Sequence, residues 1–257
     1  VRTDPETKVM YKSVIKPIGQ SYSGKCLDII AEKLTEASAE PANEEEMANT
    51  VKVMGGEDWK LWIDALTKAG VLNEGVCTVA YSYIGPELSH AIYRDGTIGG
   101  AKKHLEKTAR ELDAQLKADL KGSAYVSENK GLVTRSSAVI PVISFYLAVL
   151  FKVMKSMNIH EGCIEQMERL FAERLYCGSN SEMTTVPVDS ENRIRMDDWE
   201  LRDDVQAKVV ENMNKTTDDN LAEYCDLAGY KHDFLSANGF DVAGVDYSKD
   251  VERFDII

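Results

Sequence analysis

The sequence predicts an α/β fold built around a parallel sheet, and three observations lead there. A short run rich in β-branched residues, Gly75-Val76-Cys77-Thr78-Val79-Ala80-Tyr81-Ser82-Tyr83, lies between turn signals, as a buried parallel strand does. A helical stretch from Ile98 to about Leu120 then leads into Ala124-Tyr125-Val126-Ser127, a second candidate strand. A long apolar helical segment follows, from about residue 136 to 157. Strand, helix, strand, helix in that order is what a parallel sheet with crossover helices requires. With 257 residues, 44% of them hydrophobic, the chain can bury a sizeable core without a disulfide or metal staple.

The elements can be taken in order. Residues 1–40 lack sustained periodicity and carry turn signals at Pro5, Pro17-Ile18-Gly19 and Ser23-Gly24, so they read as a loop or a strand-and-loop excursion. Asn43 followed by Glu44-Glu45-Glu46 supplies a side-chain cap and acids that oppose the helix dipole. It predicts a helix to about Met54, stopped by Gly55-Gly56. From Glu57 to Ala69, Trp59, Leu61, Trp62, Ala65 and Leu66 recur at spacings of three and four, so both tryptophans are expected in the core. A further helix is predicted from about 162 to 176. The C-terminal third alternates acidic helical stretches, 198–214 and 220–227, with turns, and reads as a helical appendage. No internal repeat or low-complexity segment is present.

Charge and composition exclude several classes of function. Lys plus Arg number 30 against 43 Asp plus Glu, a formal charge of −13. Nucleic acid is therefore not expected as a partner, because phosphate binding needs a basic face that releases counterions. The five cysteines, Cys26, Cys77, Cys163, Cys177 and Cys225, are odd in number and form no C-x-x-C, which points to reduced thiols and a cytoplasmic location. His90, His104, His160 and His232 are scattered, so no metal site is expected. The most apolar window, 138–154, is interrupted by Pro141 and Lys152 and reads as a buried helix, without membrane insertion. The first residues, Val1-Arg2-Thr3-Asp4-Pro5, are polar and resemble no signal peptide.

The segment 79–103 is the densest in reactive side chains. It leaves the first strand at its C-terminal end, where open α/β sheets bind ligands. Tyr93 stands on a loop and Lys102 follows nine positions later, early in a helix. An ammonium near a phenol lowers its pKa and eases proton donation to a developing oxyanion, so the pair is chemically coherent. The alternative is a packing tyrosine beside a solvated lysine. The run Gly96-Thr97-Ile98-Gly99-Gly100-Ala101-Lys102-Lys103 fails the phosphate-loop pattern and reads as a tight turn into a helix; no G-x-G-x-x-G occurs anywhere. Asn129-Lys130-Gly131-Leu132-Val133-Thr134 precedes the apolar helix, where backbone amides and the Thr134 hydroxyl suit a phosphate or carboxamide, or Thr134 serves only as a helix cap. Phe145 and Tyr146 read as core or as one wall of an acyl pocket. In His160-Glu161-Gly162-Cys163, neighbouring residues on a helix would point to different faces, which argues against a Cys/His nucleophile.

Five blocks carry a family resemblance: T-V-K-V-M-G-G-E-D-W from Thr50, A-Y-S-Y-I-G-P-E from Ala80, Y-R-D-G-T-I-G-G-A-K from Tyr93, N-K-G-L-V-T-R-S-S-A-V-I-P from Asn129 and H-E-G-C-I-E-Q-M from His160. They closely resemble the trans-2-enoyl-CoA reductase family, which includes the FabV-type enoyl-acyl-carrier-protein reductases, and the likeness runs to Val251-Glu252-Arg253-Phe254-Asp255-Ile256-Ile257. The resemblance implies an incomplete Rossmann-like parallel sheet, related to short-chain dehydrogenases, with large helical insertions and a helical C-terminal region. It implies reduction of the carbon–carbon double bond of an enoyl-CoA or enoyl-acyl-carrier-protein thioester by NADH, in fatty acid synthesis, by a monomer or homodimer. Tyr93 would donate to the thioester enolate, and Lys102 would hold the cofactor and tune Tyr93. Tyr83 would contact substrate, and Leu132, Val133 and Thr134 would form a cofactor-binding loop.

The resemblance also marks departures. Ser144-Phe145 stands where relatives tend to have Pro and Leu, which bears on acyl chain length. Family members begin with a glycine-rich βαβ dinucleotide-binding unit, and Val1 corresponds to a point just beyond it. Residues 1–177 are then the catalytic part without that unit and 178–257 a C-terminal helical region packed on it. Such a chain is expected to bind NADH poorly and to be nearly inactive alone. Flavin binding, sometimes ascribed to the C-terminal region of this family, has no physical signal in the sequence. Two other readings remain: a non-catalytic α/β remnant acting as a binding or structural subunit, and a Tyr/Lys carbonyl dehydrogenase.

Overall fold

The fold was analysed in a computed structural model, which describes residues 1–134, 137, 140, 142–176 and 185–250. Cys177, the boundary at 177, the onset of a helix at Ser136 and the last block from Val251 lie outside the described residues.

The N-terminal excursion resolves into two antiparallel hairpins: β1 (Arg2–Thr3) with β2 (Met10–Tyr11), and β3 (Tyr22–Asp28) with β4 (Lys33–Ala39). Helix α1 (Glu44–Met54) starts where Asn43 predicts it, with a full capping box: Asn43 Oδ1 accepts from the Glu46 amide at 2.8 Å, and Glu46 accepts from the Asn43 amide at 3.0 Å. Helix α2 (Glu57–Lys68) buries Trp59 in part, with its indole N–H donating to Thr78 Oγ1 at 3.0 Å. Trp62 corrects the sequence expectation: it is 63% exposed, because the apolar stripe of α2 is narrower than its five matching positions suggest.

The central sheet has strand order β5-β6-β7, all parallel: β5 (Cys77–Ser82), β6 (Ser123–Glu128) and β7 (Arg193–Arg195). The short α3 (Glu87–His90) follows β5, and the 24-residue α4 (Thr97–Leu120) returns the chain to β6. Strand β6 is buried along its whole length, as a central strand covered on both faces must be. Strand β5 is parallel, as expected, but only half-buried, and Tyr81 is 52% exposed, because among the described residues no strand pairs with its outer edge.

Helix α5 (Ile143–Ser156) is the core of the molecule, with Phe145 to Phe151 fully buried between β3, α7 (Asp203–Lys215) and α9 (Leu227–Ser236). Among the described residues this helix begins at Ile143. Pro141 lacks an amide donor and disfavours helix in the residue before it, and Val142 takes φ +71°. Ser144 bridges to the hairpin, donating to the Leu27 carbonyl at 2.9 Å and accepting its amide at 3.3 Å. Helix α6 (Cys163–Leu170) runs into a π-turn, Phe171–Leu175. The C-terminal region is helical as expected, with α7, α8 (Leu221–Tyr224) and α9, though its first helix starts at Asp203 rather than 198. It is not only an appendage, because β7 completes the sheet.

Arg169 on α6 locks that region in place. It is 4% exposed, donates twice to Glu161 (2.6 and 2.9 Å), once to Asp198 (2.9 Å) and once to the Met196 carbonyl (2.9 Å), and lies 4.1 Å over Trp199. Removing the guanidinium strands a buried carboxylate, so Arg169→Met is expected to cost about 3–5 kcal/mol, measured by denaturant unfolding. The double change Arg169→Met with Glu161→Met is expected to recover most of it.

Candidate active site

A cavity of about 410 Å³ opens at the C-terminal ends of β5 and β6. Tyr83, Tyr93, Lys102, Leu132 and Thr134 all line it. Strand ends deliver Tyr83 and the 129–134 loop, and α4 delivers Lys102 from its second turn.

The glycines of the Tyr93 block fix the tyrosine. Gly96 and Gly99 both donate their amides to the Tyr93 carbonyl, at 3.1 and 3.0 Å. A Cβ at Gly99 would fall 1.7 Å from the Arg94 carbonyl oxygen, so no other residue allows this approach. Thr97 pins the same turn to the N-terminal segment, donating its hydroxyl to Val14 at 2.6 Å and its amide to Lys16 at 3.0 Å. The glycine run is thus the tight turn into a helix that the pattern predicts.

Tyr93 is 7% exposed and meets Tyr83 edge-on, with ring centroids 5.4 Å apart. Among the described residues nothing hydrogen-bonds the Tyr93 hydroxyl or the Lys102 ammonium, and both line open cavity. The expected lowering of the Tyr93 pKa by Lys102 is corrected: burial pushes the phenol up, and the negative charge of Glu128 adds to that. The hydroxyl therefore keeps its proton at neutral pH and is a donor. Lys102 in turn is pushed below the ordinary lysine value by burial.

Of the predicted loop, Leu132 and Thr134 line the cavity, whereas the Val133 side chain turns into the core, 7% exposed. No described residue accepts from the Leu132 or Val133 amides, which leaves two donors for a carboxamide. Thr134 does cap a turn, as one reading had it: its Oγ1 accepts the Ser137 amide at 3.1 Å.

The residue that sequence reasoning missed is Glu200. It is fully buried and accepts from the Tyr83 hydroxyl (2.9 Å), the Tyr146 hydroxyl (2.7 Å) and the Gly131 amide (2.6 Å). Burial raises its pKa, and the bonds from Tyr146 and Gly131 and the charge of Lys130 oppose this. A Cβ at Gly131 would lie 2.6 Å from Leu147 Cδ2, so a larger residue there would have to displace the end of that side chain. Beside it Lys130 is 1% exposed, donates to the Gly131 carbonyl at 2.8 Å and sits 4.6 Å over the Phe151 ring; burial pushes its ammonium down to about 8. Phe145 and Tyr146 are core. His160 meets Phe151 edge-on, while Cys163 is exposed at the start of α6, so they form no nucleophilic pair. Among the described residues no group of three or more candidate ligands gathers for a metal.

Glu200→Gln puts an amide donor opposite an existing donor, an unsatisfied buried contact of about 1–3 kcal/mol. The expected result in denaturant unfolding is a loss of that size, against about 1 kcal/mol for Tyr83→Phe, which leaves the carboxylate two other donors.

Comparison with known proteins follows the same lines. Over its whole length the chain is 60% identical to the trans-2-enoyl-CoA reductase [NADH] of Treponema denticola, covering 63% of that relative. Over 98% of its length it is 56% identical to the enoyl-[acyl-carrier-protein] reductase [NADH] of Flavobacterium johnsoniae, covering 62% of it. The structure superimposes on the Treponema denticola enzyme in complex with NAD with a TM-score of 0.91, over 100% of this chain and 62% of that one. On the Clostridium acetobutulicum enzyme in complex with NADH it does so with a TM-score of 0.92 at 45% identity, over 98% and 62%. The chain thus spans somewhat under two thirds of the relatives it matches. The family model "Enoyl reductase FAD binding domain" matches residues 188–251. With "Trans-2-enoyl-CoA reductase catalytic region" matching residues 1–176, this chain belongs to the trans-2-enoyl-CoA reductase family.

Proposed function

We propose that this chain is the catalytic and C-terminal part of an enoyl-thioester reductase that uses NADH and acts on enoyl-CoA or enoyl-acyl-carrier-protein. The observation that carries the reading is the Tyr93/Lys102 pair, unpartnered among the described residues at the wall of a strand-end cavity, in a chain 60% and 56% identical to relatives named for that activity. A bound reduced nicotinamide supplies hydride to the β-carbon of the substrate. Tyr93, protonated at neutral pH, donates a hydrogen bond to the thioester oxygen as negative charge gathers there, and is the proton donor to the resulting enolate. Tyr83, held by Glu200, closes the substrate side. Ile140, Ile143 and Leu147 give the acyl chain an apolar wall and exclude water. The Lys102 ammonium and the free amides of Leu132 and Val133 are the groups that would hold the nicotinamide half of the cofactor.

The dinucleotide-binding unit is proposed to lie outside these 257 residues, where the outer edge of β5 offers it a pairing surface. The division at 177 and the monomeric or homodimeric state belong to the same reading. A reducing cytoplasm suits the free thiols of Cys26, Cys77, Cys163 and Cys225. Among the described residues no helix is long and apolar enough to cross a membrane.

Flavin does not fit residues 188–251. All seven lysines and arginines of the segment are ion-paired, Arg193 and Arg195 to Asp189, Arg202 to Asp204, Lys208 and Lys215 to Glu211, Lys231 to Glu32 and Lys249 to Asp246, so none stands free to mark a flavin diphosphate site. No step is assigned to it.

A chimera carrying the N-terminal part of the Treponema denticola enzyme ahead of Val1 tests the reading. It is expected to oxidise NADH with crotonyl-CoA and to lose about 100-fold or more of that rate in Tyr93→Phe. A chimera that binds NADH and leaves crotonyl-CoA unreduced sinks the assignment, and alcohol products from ketones would favour the carbonyl dehydrogenase.

A further inference from the structure

Glu128 is the last residue of β6, the central strand, and it is fully buried. Its backbone is well used, since its carbonyl accepts the amides of Met196 and Asp197 at 2.9 and 3.0 Å. Its carboxylate is not: neither oxygen has a well-formed hydrogen bond. The near donor is the hydroxyl of Ser82, its register partner on β5, which is buried and makes no well-formed bond elsewhere. A bare buried carboxylate is costly, so its position needs a cause.

The charges facing Glu128 narrow that cause. From β5 comes the Ser82 hydroxyl, and from the loop before α4 come Tyr93 and Arg94. From α4 come Lys102 and Glu106, and from β7 and the turn after it come Arg195 and Asp197. The arginines are engaged elsewhere. Arg94 binds Glu106 through both terminal nitrogens, at 2.5 and 3.2 Å, and Arg195 grips Asp197 at 2.7 and 2.8 Å. Lys102 is the facing cation that has no acceptor among the described residues. A carboxylate short of donors, next in the chain to the cavity-lining Asn129, and an ammonium with no acceptor among the described residues thus stand at the same end of the sheet.

We propose that Glu128 is the charge partner of Lys102, a positioning residue that keeps the ammonium protonated and held at the cavity wall, with Ser82 as a second donor to the carboxylate. Its consequence for catalysis rests on the reductase reading, through the cofactor contact given to Lys102; the pairing itself does not. The electrostatics run the same way. Burial pushes Glu128 up to about 7, the Ser82 hydroxyl and Lys102 oppose this and Glu106 adds to it, while Glu128 and Glu106 hold up a Lys102 that burial lowers. Above about pH 7 the carboxylate is ionised and supports Lys102; below it Glu128 takes up a proton and the support is lost.

Competitive acetylation of the folded full chain with limiting acetic anhydride, followed lysine by lysine across pH, tests the pair. In Glu128→Gln the midpoint of Lys102 reactivity is expected to fall by about one pH unit, a tenfold gain in reactivity at fixed pH, while exposed lysines such as Lys33 keep theirs. An unmoved Lys102 midpoint overturns the proposal. Should Glu128→Gln fail to fold, Lys102→Met serves: the Glu128 carboxyl, titrated by carbon-detected NMR, is expected to move up from about 7, and an unmoved titration overturns the pair. In the active chimera, Glu128→Gln is expected to raise the KM for NADH several-fold more than it lowers kcat, and to abolish the limb of the pH profile near 7. Labelling needs no turnover, so a shifted Lys102 in a protein that reduces no enoyl thioester removes the reductase reading alone. An active reductase with an unshifted Lys102 removes this proposal alone.

Discussion

The carboxylate of Glu200 is the contact on which the site depends. Three donors converge on it from three pieces of chain: Tyr83 just past β5, Gly131 just past β6 and Tyr146 on α5. The carboxylate itself arrives from the segment after β7. A buried charge holds such a set only if all its donors are present, since each hydrogen bond offsets part of the cost of taking the charge from water. The C-terminal region therefore contributes to the cavity by fixing its floor. Gln206 extends the same node, donating to the Tyr146 hydroxyl at 3.0 Å and to the Glu200 carbonyl at 2.7 Å.

Two buried glutamates at one sheet end behave in opposite ways, and the contrast is informative. Glu200 is saturated with donors and so is a rigid fixture. Glu128 has only the nearby Ser82 hydroxyl, and burial leaves it close to the balance between charged and neutral forms near pH 7. A saturated carboxylate suits holding an aromatic ring in place, whereas an unsaturated one is free to respond to a charge that moves or a ligand that enters. Both lie beyond the reach of periodicity, which treats a glutamate in a β-rich or acidic stretch as a surface residue.

What the sequence made legible follows from local physics. The Asn43 cap, the two strands read within residues 75–83 and 124–127 and the α4 helix rest on interactions within a few residues, so their patterns carry over to the structure. Where neighbours in space decide, pattern fails. Strand β7 is three residues, Arg-Ile-Arg, too short for alternation to register, and its arginines are masked as buried surface by pairing to Asp189, Asp197 and Glu106. Trp62 matches a helical stripe but nothing packs over it. Tyr93 and Lys102 were visible as a pair through spacing and family resemblance. The direction of the phenol's pKa was not, because it depends on Glu128, which is remote in sequence and adjacent only once the sheet forms.

The overall charge of −13 gives the last step. On the proposed reading, an acidic protein that accepts a phosphate-bearing cofactor must keep some cation unspent at the cavity. Of the two lysines that line the cavity, Lys130 donates to the Gly131 carbonyl and lies under Phe151, shielded from a ligand. Lys102 has no acceptor and faces open space. A lone ammonium in such a place is expensive, since burial works against its charge. An acid set behind it, itself too buried to bind solvent cations, lowers that cost without filling the cavity. The arrangement keeps the charge available to a ligand's oxygens, and the bare state of Glu128 is then a condition of that availability rather than a defect of packing.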